Sequence, residues 1–252
     1  QRSWGDTVGE VLKEHGDRFQ HWVVLGAEVE WTDEKPRVAE AHVDHDSLRR
    51  LGRPTGIALR IGAYPGPFQE GDEVTAFLTK LSYDLVKQFQ SKGISVSELQ
   101  IDFDCAESKL EGYARWIRAI RSANPDVPIT LTALPAWLDQ PDCLGLFQSV
   151  DGVVLQVHGL EKPGPLGTPY TLCDPERAWQ LTEKMGRFRI PFRLALPTYG
   201  YTLAYREDGK FVGLSAEGPR RDWPEGTTVK TVRSDPAAMA SLVRRIEQGR
   251  PS

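Results

Sequence analysis

Short runs of β-forming residues alternate with amphipathic helical stretches along almost the whole chain, and this rhythm limits the fold more than any other sequence feature. Runs rich in Val, Ile and Leu predict strands at about 21–29, 56–62, 98–103, 128–133, 151–157 and 191–197. Helical periodicity predicts helices at about 5–19, 45–51, 73–92, 107–123, 139–149, 175–186 and 235–248. Strands separated by helices are typical of βαβ units, which build a parallel sheet covered by helices.

This order of elements predicts an α/β protein of the (β/α)₈ or TIM barrel type. Helices are the first and last elements recognised, so we expect the first and last barrel strands to be missing or truncated in this sequence. The alternative is a doubly wound open sheet, but no glycine-rich phosphate loop follows any strand. Segment 199–231 is too long for an ordinary loop and predicts an insertion with a hairpin around 207–210.

Length and charge narrow the possible functions. The 252 residues predict a single domain over 1–252, since they are too few for two domains of usual size. A net charge of −4 without any dense Lys/Arg run argues against nucleic acid as a partner. No apolar stretch approaches the roughly 18 residues that span a bilayer. The 3 cysteines are far apart and include no CxxC pair, which indicates neither a disulfide framework nor a zinc site.

The strand at 98–103 carries the residues best suited to chemistry. In the run LQIDFD, strand alternation sends Gln100, Asp102 and Asp104 to one face and the apolar residues to the other. The apolar face meets the helices, so we expect the polar residues to point into the barrel, with Asp104 nearest its carboxyl-terminal mouth. Two neighbouring carboxyls hold one proton between them and supply a general acid. The alternative is that Asp104 caps the helix that follows.

Polar side chains from other strands are expected at the same mouth. Alternation places Glu28, Arg60, Gln156 and His158 there as substrate-binding residues. Arg60 is interpreted either as a clamp that keeps a carboxylate ionised or as part of a structural ion pair. Glu28 is the candidate for a second catalytic carboxylate, and His158 is expected to donate a hydrogen bond to substrate. No HxH or HxxxH spacing is present, so no metal is expected.

Two aromatic residues follow predicted strand ends closely. Trp137 comes shortly after the strand at 128–133, and Tyr199 follows the strand at 191–197. Sugar rings stack on aromatic faces through their apolar C–H surfaces. We therefore expect both side chains to bind a carbohydrate substrate.

The same residues carry a family resemblance. QIDFD, VVLQVHG and LALPTYGY resemble the catalytic DxxDxDxE strand, the sixth strand and the P-x-YG seventh strand of glycoside hydrolase family 18, the chitinases. The runs QIDFDCAESKLEGYARWIRAIR and LTALPAWL are also similar to the bacterial domain of unknown function numbered 3142. The chitinase resemblance implies that Asp104 is the proton-donating acid and that Asp102 orients the 2-acetamido group of the substrate. The sequence departs from it at Asp104, where chitinases have Glu, and at Gln156 and His158, where they have a Tyr.

Residues and resemblance together predict a glycoside hydrolase that cleaves a poly- or oligosaccharide by acid catalysis and needs no cofactor. One alternative is a carbohydrate-binding barrel without catalysis, and another is a metal-dependent hydrolase. The resemblance also implies export from a bacterial cell, to the periplasm, to a lipid anchor or to the medium.

Overall fold

The computed structural model of the protein describes residues 4, 6–32, 35–69, 71–216 and 222–249. Its helices are α1 (Asp6–His15), α2 (His45–Leu51), α3 (Glu73–Ser91), α4 (Leu110–Ala123), α5 (Cys143–Phe147), α6 (Pro175–Gly186) and α7 (Pro236–Gln248). Its strands are β1 (Trp22–Thr32), β2 (Lys35–Glu40), β3 (Thr55–Ile61), β4 (Val96–Phe103), β5 (Ile129–Ala133), β6 (Gly152–Gln156), β7 (Phe192–Ala195), β8 (Gly200–Tyr205), β9 (Phe211–Ala216) and β10 (Thr228–Arg233).

Seven strands form one sheet in the order β2-β1-β3-β4-β5-β6-β7. Strands β1, β3, β4 and β5 are parallel neighbours, and β2 pairs with β1 in the antiparallel direction. The order leaves β2 and β7 at the two edges, so the barrel is not closed within the described residues. The α/β fold and the open barrel predicted from the sequence are confirmed. Among the described helices, each is too short or too polar to cross a membrane.

Backbone packing divides the chain into two compact units. The first comprises Gln1–Val154 and Ile190–Arg193, and the second comprises Leu155–Arg189 and Leu194–Ser252. In the first unit, α3 buries Leu78 completely. The helix begins where the Asp72 carboxylate accepts a hydrogen bond from the Thr75 backbone N–H at 2.6 Å. Such a side-chain cap stabilises a helix by roughly 0.5–2 kcal/mol.

The second unit contains an antiparallel sheet in the order β10-β8-β9. Strands β8 and β9 lie inside the long segment 199–231, and β10 extends two residues beyond it. The β8–β9 turn includes Gly209, whose φ of 78° suits glycine. The predicted hairpin is therefore present. Helices α6 and α7 are joined by Arg245, which donates to Glu176 at 2.6 Å and lies 4.5 Å from the centre of the Trp179 ring.

An ion pair between a buried carboxylate and a partly exposed arginine links two distant strands of the first unit. Glu98 on β4 is 5% exposed and accepts hydrogen bonds from Arg193 Nη2 at 2.8 and 2.6 Å. In the sheet order, β4 and β7 are three strand spacings apart, roughly 14 Å in a flat sheet. Side chains stand nearly perpendicular to a sheet, so this contact indicates that the sheet curves around the face that carries Glu98.

Two further residues complete the surroundings of Glu98. His21 Nε2 lies 2.8 Å from Glu98 Oε1, and Gly56 is its neighbour on β3. A Cβ atom at position 56 would lie 2.8 Å from Glu98 Cγ, so only glycine leaves room for the carboxylate. Burial favours a higher pKa for Glu98, but the hydrogen bonds from Arg193 and His21 outweigh it and hold the pKa below its usual value. Glu98 is thus an ionised structural residue.

The E98Q variant should be less stable than the wild type at pH 7. Losing the carboxylate leaves Arg193 without its partner, at a cost of about 1–3 kcal/mol because the arginine is partly solvated. A carboxyl group whose pKa is lower in the folded state than in the unfolded state stabilises the fold at pH values above its unfolded-state pKa. This stabilisation is lost as the pH falls through the folded-state pKa. The difference in thermal unfolding midpoint should therefore shrink below about pH 4.

The control is E161Q, which breaks the exposed Glu161–Arg177 pair at 2.6 Å. It should change stability by at most about 1 kcal/mol. Equal unfolding midpoints for E98Q and E161Q at pH 7 would show that the Glu98–Arg193 pair does not support the fold.

Candidate functional site

The end of β4 carries the predicted acids. Burial alternates along this strand, with Leu99, Ile101 and Phe103 at 0%, 0% and 2% exposure and Asp102 half-buried between them. Asp104 is the first residue after the strand and is exposed. The apolar face packs into the core, so Asp102 lies on the opposite face, as the alternation predicts.

Asp104 does not cap a helix. The chain after β4 enters a 3₁₀ helix at Glu107–Lys109 and then α4, and neither helix start has a side-chain cap. The alternative interpretation of Asp104 as a capping residue is therefore wrong. Its carboxyl remains available at the carboxyl end of a sheet strand, where parallel α/β proteins place their ligands.

A row of charged residues crosses three adjacent strands, and we call Glu28, Arg60 and Asp102 the charged row. Glu28 on β1 is the register partner of Arg60 on β3, and Arg60 is the partner of Asp102 on β4. Arg60 Nε lies 3.5 Å from Glu28 Oε1, and their side chains are 56% and 38% exposed. The arginine is therefore an accessible cation between two carboxyls.

Asp102 has a raised pKa. Burial is the largest cause, the Arg60 guanidinium opposes it, and the negative charge of Asp104 raises the pKa further. Thr132 lowers the pKa of Asp102 and Glu28 raises it, both by smaller amounts. Asp102 consequently keeps its proton to a higher pH than an ordinary aspartate, which is the property that a general acid needs.

Gln100 lies on the same face as Asp102, one pleat nearer the start of β4. Its side-chain amide donates to Thr132 Oγ1 at 3.3 Å, and the residue is half-buried. The structure therefore brings Glu28, Arg60, Gln100 and Asp102 together on one face of the first unit, with Thr132 as an addition that the sequence analysis missed. Thr132 lies on the neighbouring strand β5, beside Asp102 in the register, and a polar residue at that position is the sequence signal for it.

Trp137 does not offer a sugar-binding face, so that prediction is wrong. The residue lies in a 3₁₀ helix at Pro135–Asp139 and is 0% exposed. Its indole Nε1 donates to the Cys105 carbonyl at 3.0 Å, and its ring meets Tyr113 edge to face with centroids 6.0 Å apart. Trp137 thus supports the turn that directly follows Asp104.

The three other predicted residues meet in the second unit. Gln156 Nε2 donates to the His158 carbonyl at 3.0 Å, and His158 Nδ1 lies 2.8 Å from the Tyr199 hydroxyl. Tyr201, which the sequence analysis did not select, lies 3.1 Å from Tyr199 through its hydroxyl. Burial lowers the pKa of His158, so its imidazole is neutral near pH 7.

Within the described ranges, no group of three His, Cys, Asp or Glu side chains is placed to hold a metal ion. All three cysteines are buried, and within the described residues none of them forms a disulfide. Burial raises the pKa of the Cys105 thiol, next to Asp104, to about 12. A thiol with such a pKa is not a nucleophile near neutral pH.

The family comparison covers most of the chain. The family model described as "Domain of unknown function (DUF3142)" matches residues 52–252. A search of curated protein sequences finds no match.

Solved structures share the fold at low sequence identity. The spore cortex-lytic enzyme SleL from Bacillus cereus has a TM-score of 0.65 and 12% identity, and the match covers 97% of this chain but only 65% of that one. A chitinase from Chromobacterium violaceum has a TM-score of 0.65 and 13% identity, and the match covers 98% of this chain and 88% of the chitinase. The family 18 chitinase ChiB from Flavobacterium johnsoniae has a TM-score of 0.58 and 11% identity, and the match covers 95% of this chain and 82% of ChiB. The fold is that of the chitinase-like barrels.

Replacing Arg60 should raise the pKa of Asp102 further. The R60M variant removes the cation that opposes the effect of burial, so the Asp102 carboxyl should titrate at higher pH than in the wild type. Carboxyl ¹³C chemical shifts followed across a pH series measure this directly. The control is R37M, the same change at an exposed position on β2. It should leave the pH at which Asp102 titrates unchanged. An unchanged Asp102 titration in R60M would contradict the coupling within the charged row.

Proposed function

The chain belongs to the family of the domain of unknown function DUF3142, and we propose that it hydrolyses glycosidic bonds with Asp102 and Asp104 as its acid pair. The observation that carries the proposal is a half-buried Asp102 with a raised pKa beside an exposed Asp104. Both stand at the carboxyl end of one sheet strand, where barrel enzymes place catalytic groups. The shared fold with chitinases and a cortex-lytic enzyme supports a carbohydrate substrate.

Asp104 is the proton donor in this proposal because it is the exposed member of the pair. The two carboxyls interact, since the charge of Asp104 raises the pKa of Asp102. Asp102 keeps its proton to a higher pH than an ordinary aspartate, and in this proposal it passes that proton to Asp104. Asp104 then protonates the glycosidic oxygen as the bond to the leaving sugar breaks, and Asp102 stabilises the charge that develops.

Glu28 is the proposed second carboxylate. Its backbone position is two strands across and two residues along from that of the proton donor Asp104, roughly 12 Å away. Hydrolysis with inversion needs carboxyls about 6.5–9.5 Å apart, so that one of them can activate a water molecule on the far side of the sugar. The spacing of the strands favours this inverting arrangement over direct attack by Glu28, which needs about 5–5.5 Å.

The D104N variant should bind oligosaccharides but not cleave them. The change removes the proton and keeps the shape, so turnover should fall by about 10²–10⁴-fold while binding stays close to that of the wild type. The measurement is a screen of polysaccharides, including chitin oligosaccharides and peptidoglycan, with product detection by mass spectrometry and binding by calorimetry.

D126N is the matched control, because Asp126 is exposed in the turn before β5, at the opposite end of the strands. It should keep full activity. Equal turnover by D104N and the wild type would refute Asp104 as the acid. Binding without turnover by the wild type itself would instead favour a carbohydrate-binding barrel that lacks catalysis.

A further inference from the structure

Three side chains of the second unit form a hydrogen-bonded chain that ends on an imidazole. The Tyr201 and Tyr199 hydroxyls lie 3.1 Å apart, and the Tyr199 hydroxyl lies 2.8 Å from His158 Nδ1. Their rings meet edge to face, with centroid distances of 5.3 Å for the two tyrosines and 5.5 Å for Tyr199 and His158. All three residues are half-buried. The acid pair proposed above uses none of these contacts.

The backbone around His158 is fixed on both sides. Its carbonyl accepts from Gln156 Nε2 at 3.0 Å, and the next N–H, of Gly159, donates to the Leu172 carbonyl at 2.8 Å. Gly159 has φ 65°, and a Cβ atom there would lie 3.3 Å from the Tyr201 hydroxyl. Glycine therefore allows both the left-handed turn and the close approach of Tyr201. The backbone that carries the imidazole is therefore held in place, and the ring makes its hydrogen bond to Tyr199 from this position.

The direction of the hydrogen bonds follows from acid strength. A neutral imidazole has one N–H and one lone-pair nitrogen, whereas a tyrosine hydroxyl can donate and accept. The phenol is the better acid and the imidazole nitrogen is the better base, so Tyr199 donates to Nδ1 and accepts from Tyr201. Burial is the main reason that the pKa of Tyr199 is raised, and it therefore stays protonated. The single imidazole proton is then left on Nε2.

We propose that Tyr199 and Tyr201 are positioning residues that hold neutral His158 as its Nε2-protonated tautomer, which offers one oriented N–H to an acceptor oxygen of a carbohydrate. Among the described residues, none makes a hydrogen bond to His158 Nε2. This nitrogen is not fully buried, so a ligand can reach it. The nature of the ligand rests on the proposed function. The tautomer itself follows from the hydrogen-bonded geometry and from the relative acidity of phenol and imidazole.

The tautomer can be measured without any ligand. Two-bond ¹H–¹⁵N correlation spectra at pH 7.5 should show a protonated Nε2 and an unprotonated Nδ1 for His158 in the wild type. Y199F removes the donor to Nδ1 and should give a mixture of both tautomers. Y205F is the matched control, because Tyr205 lies on the same strand β8 with its ring packed on Phe211 at 5.9 Å. A protonated Nδ1 in the wild type, or an unchanged tautomer in Y199F, would overturn the positioning role.

The ligand is tested separately with the hexasaccharide of N-acetylglucosamine as the probe. In a D104N background, which prevents turnover, Y199F should weaken binding of the probe by about 3–10-fold, and H158A should weaken it at least as much. H158Q keeps an N–H donor and should recover part of the affinity. Loss of affinity in H158A without recovery in H158Q would show that a donor at this position is not what binds the sugar.

These two experiments separate the two proposals. If D104N binds no probe while the tautomer is as expected, the carbohydrate ligand is refuted and the positioning role stands. If the probe binds equally well to D104N with and without Y199F, His158 is not part of the carbohydrate site.

Discussion

The contact between Glu98 and Arg193 is the interaction on which the rest of the first unit depends. It connects β4 to β7 across two intervening strands, so it exists only if the sheet curves around the face of Glu98. Asp102 follows four residues later on the same face of β4. The ion pair of the buried Glu98 near the start of the strand is therefore on the same side as the proposed acid pair at its end.

Strand β4 thus carries two carboxyls with opposite properties on one face. Burial favours the neutral form of both, but Glu98 receives direct hydrogen bonds from Arg193 and His21 and has a lowered pKa. Asp102 has one uncharged hydrogen-bond partner, Thr132, and the more distant Arg60, which lies against Glu28, and its pKa is raised. The number of direct donors separates a structural carboxylate from a candidate acid. This division agrees with barrels in general, whose amino-terminal end serves stability and whose carboxyl-terminal end serves function.

Periodicity predicted most of the fold and the face of each site residue, because alternation and helical spacing are local properties. It could not reveal partners, since Glu98 and Arg193 are 95 residues apart in the chain. It missed β2, whose charged residues and Pro36 are tolerated on an edge strand. It misplaced Trp137, because a position just after a strand does not show whether the next turn folds inward.

The central claim is that the proton held by the Asp102 and Asp104 pair is the proton used in hydrolysis. The pH dependence of kcat/KM in the wild type and in R60M tests it most directly, once a polysaccharide substrate is found. Activity should fall as the pH rises through the raised pKa of Asp102. In R60M this fall should move to higher pH by the same amount as the Asp102 titration seen by NMR. The claim would be contradicted if kcat/KM fell at the same pH in R60M and in the wild type while the Asp102 carboxyl titrated at a higher pH in R60M.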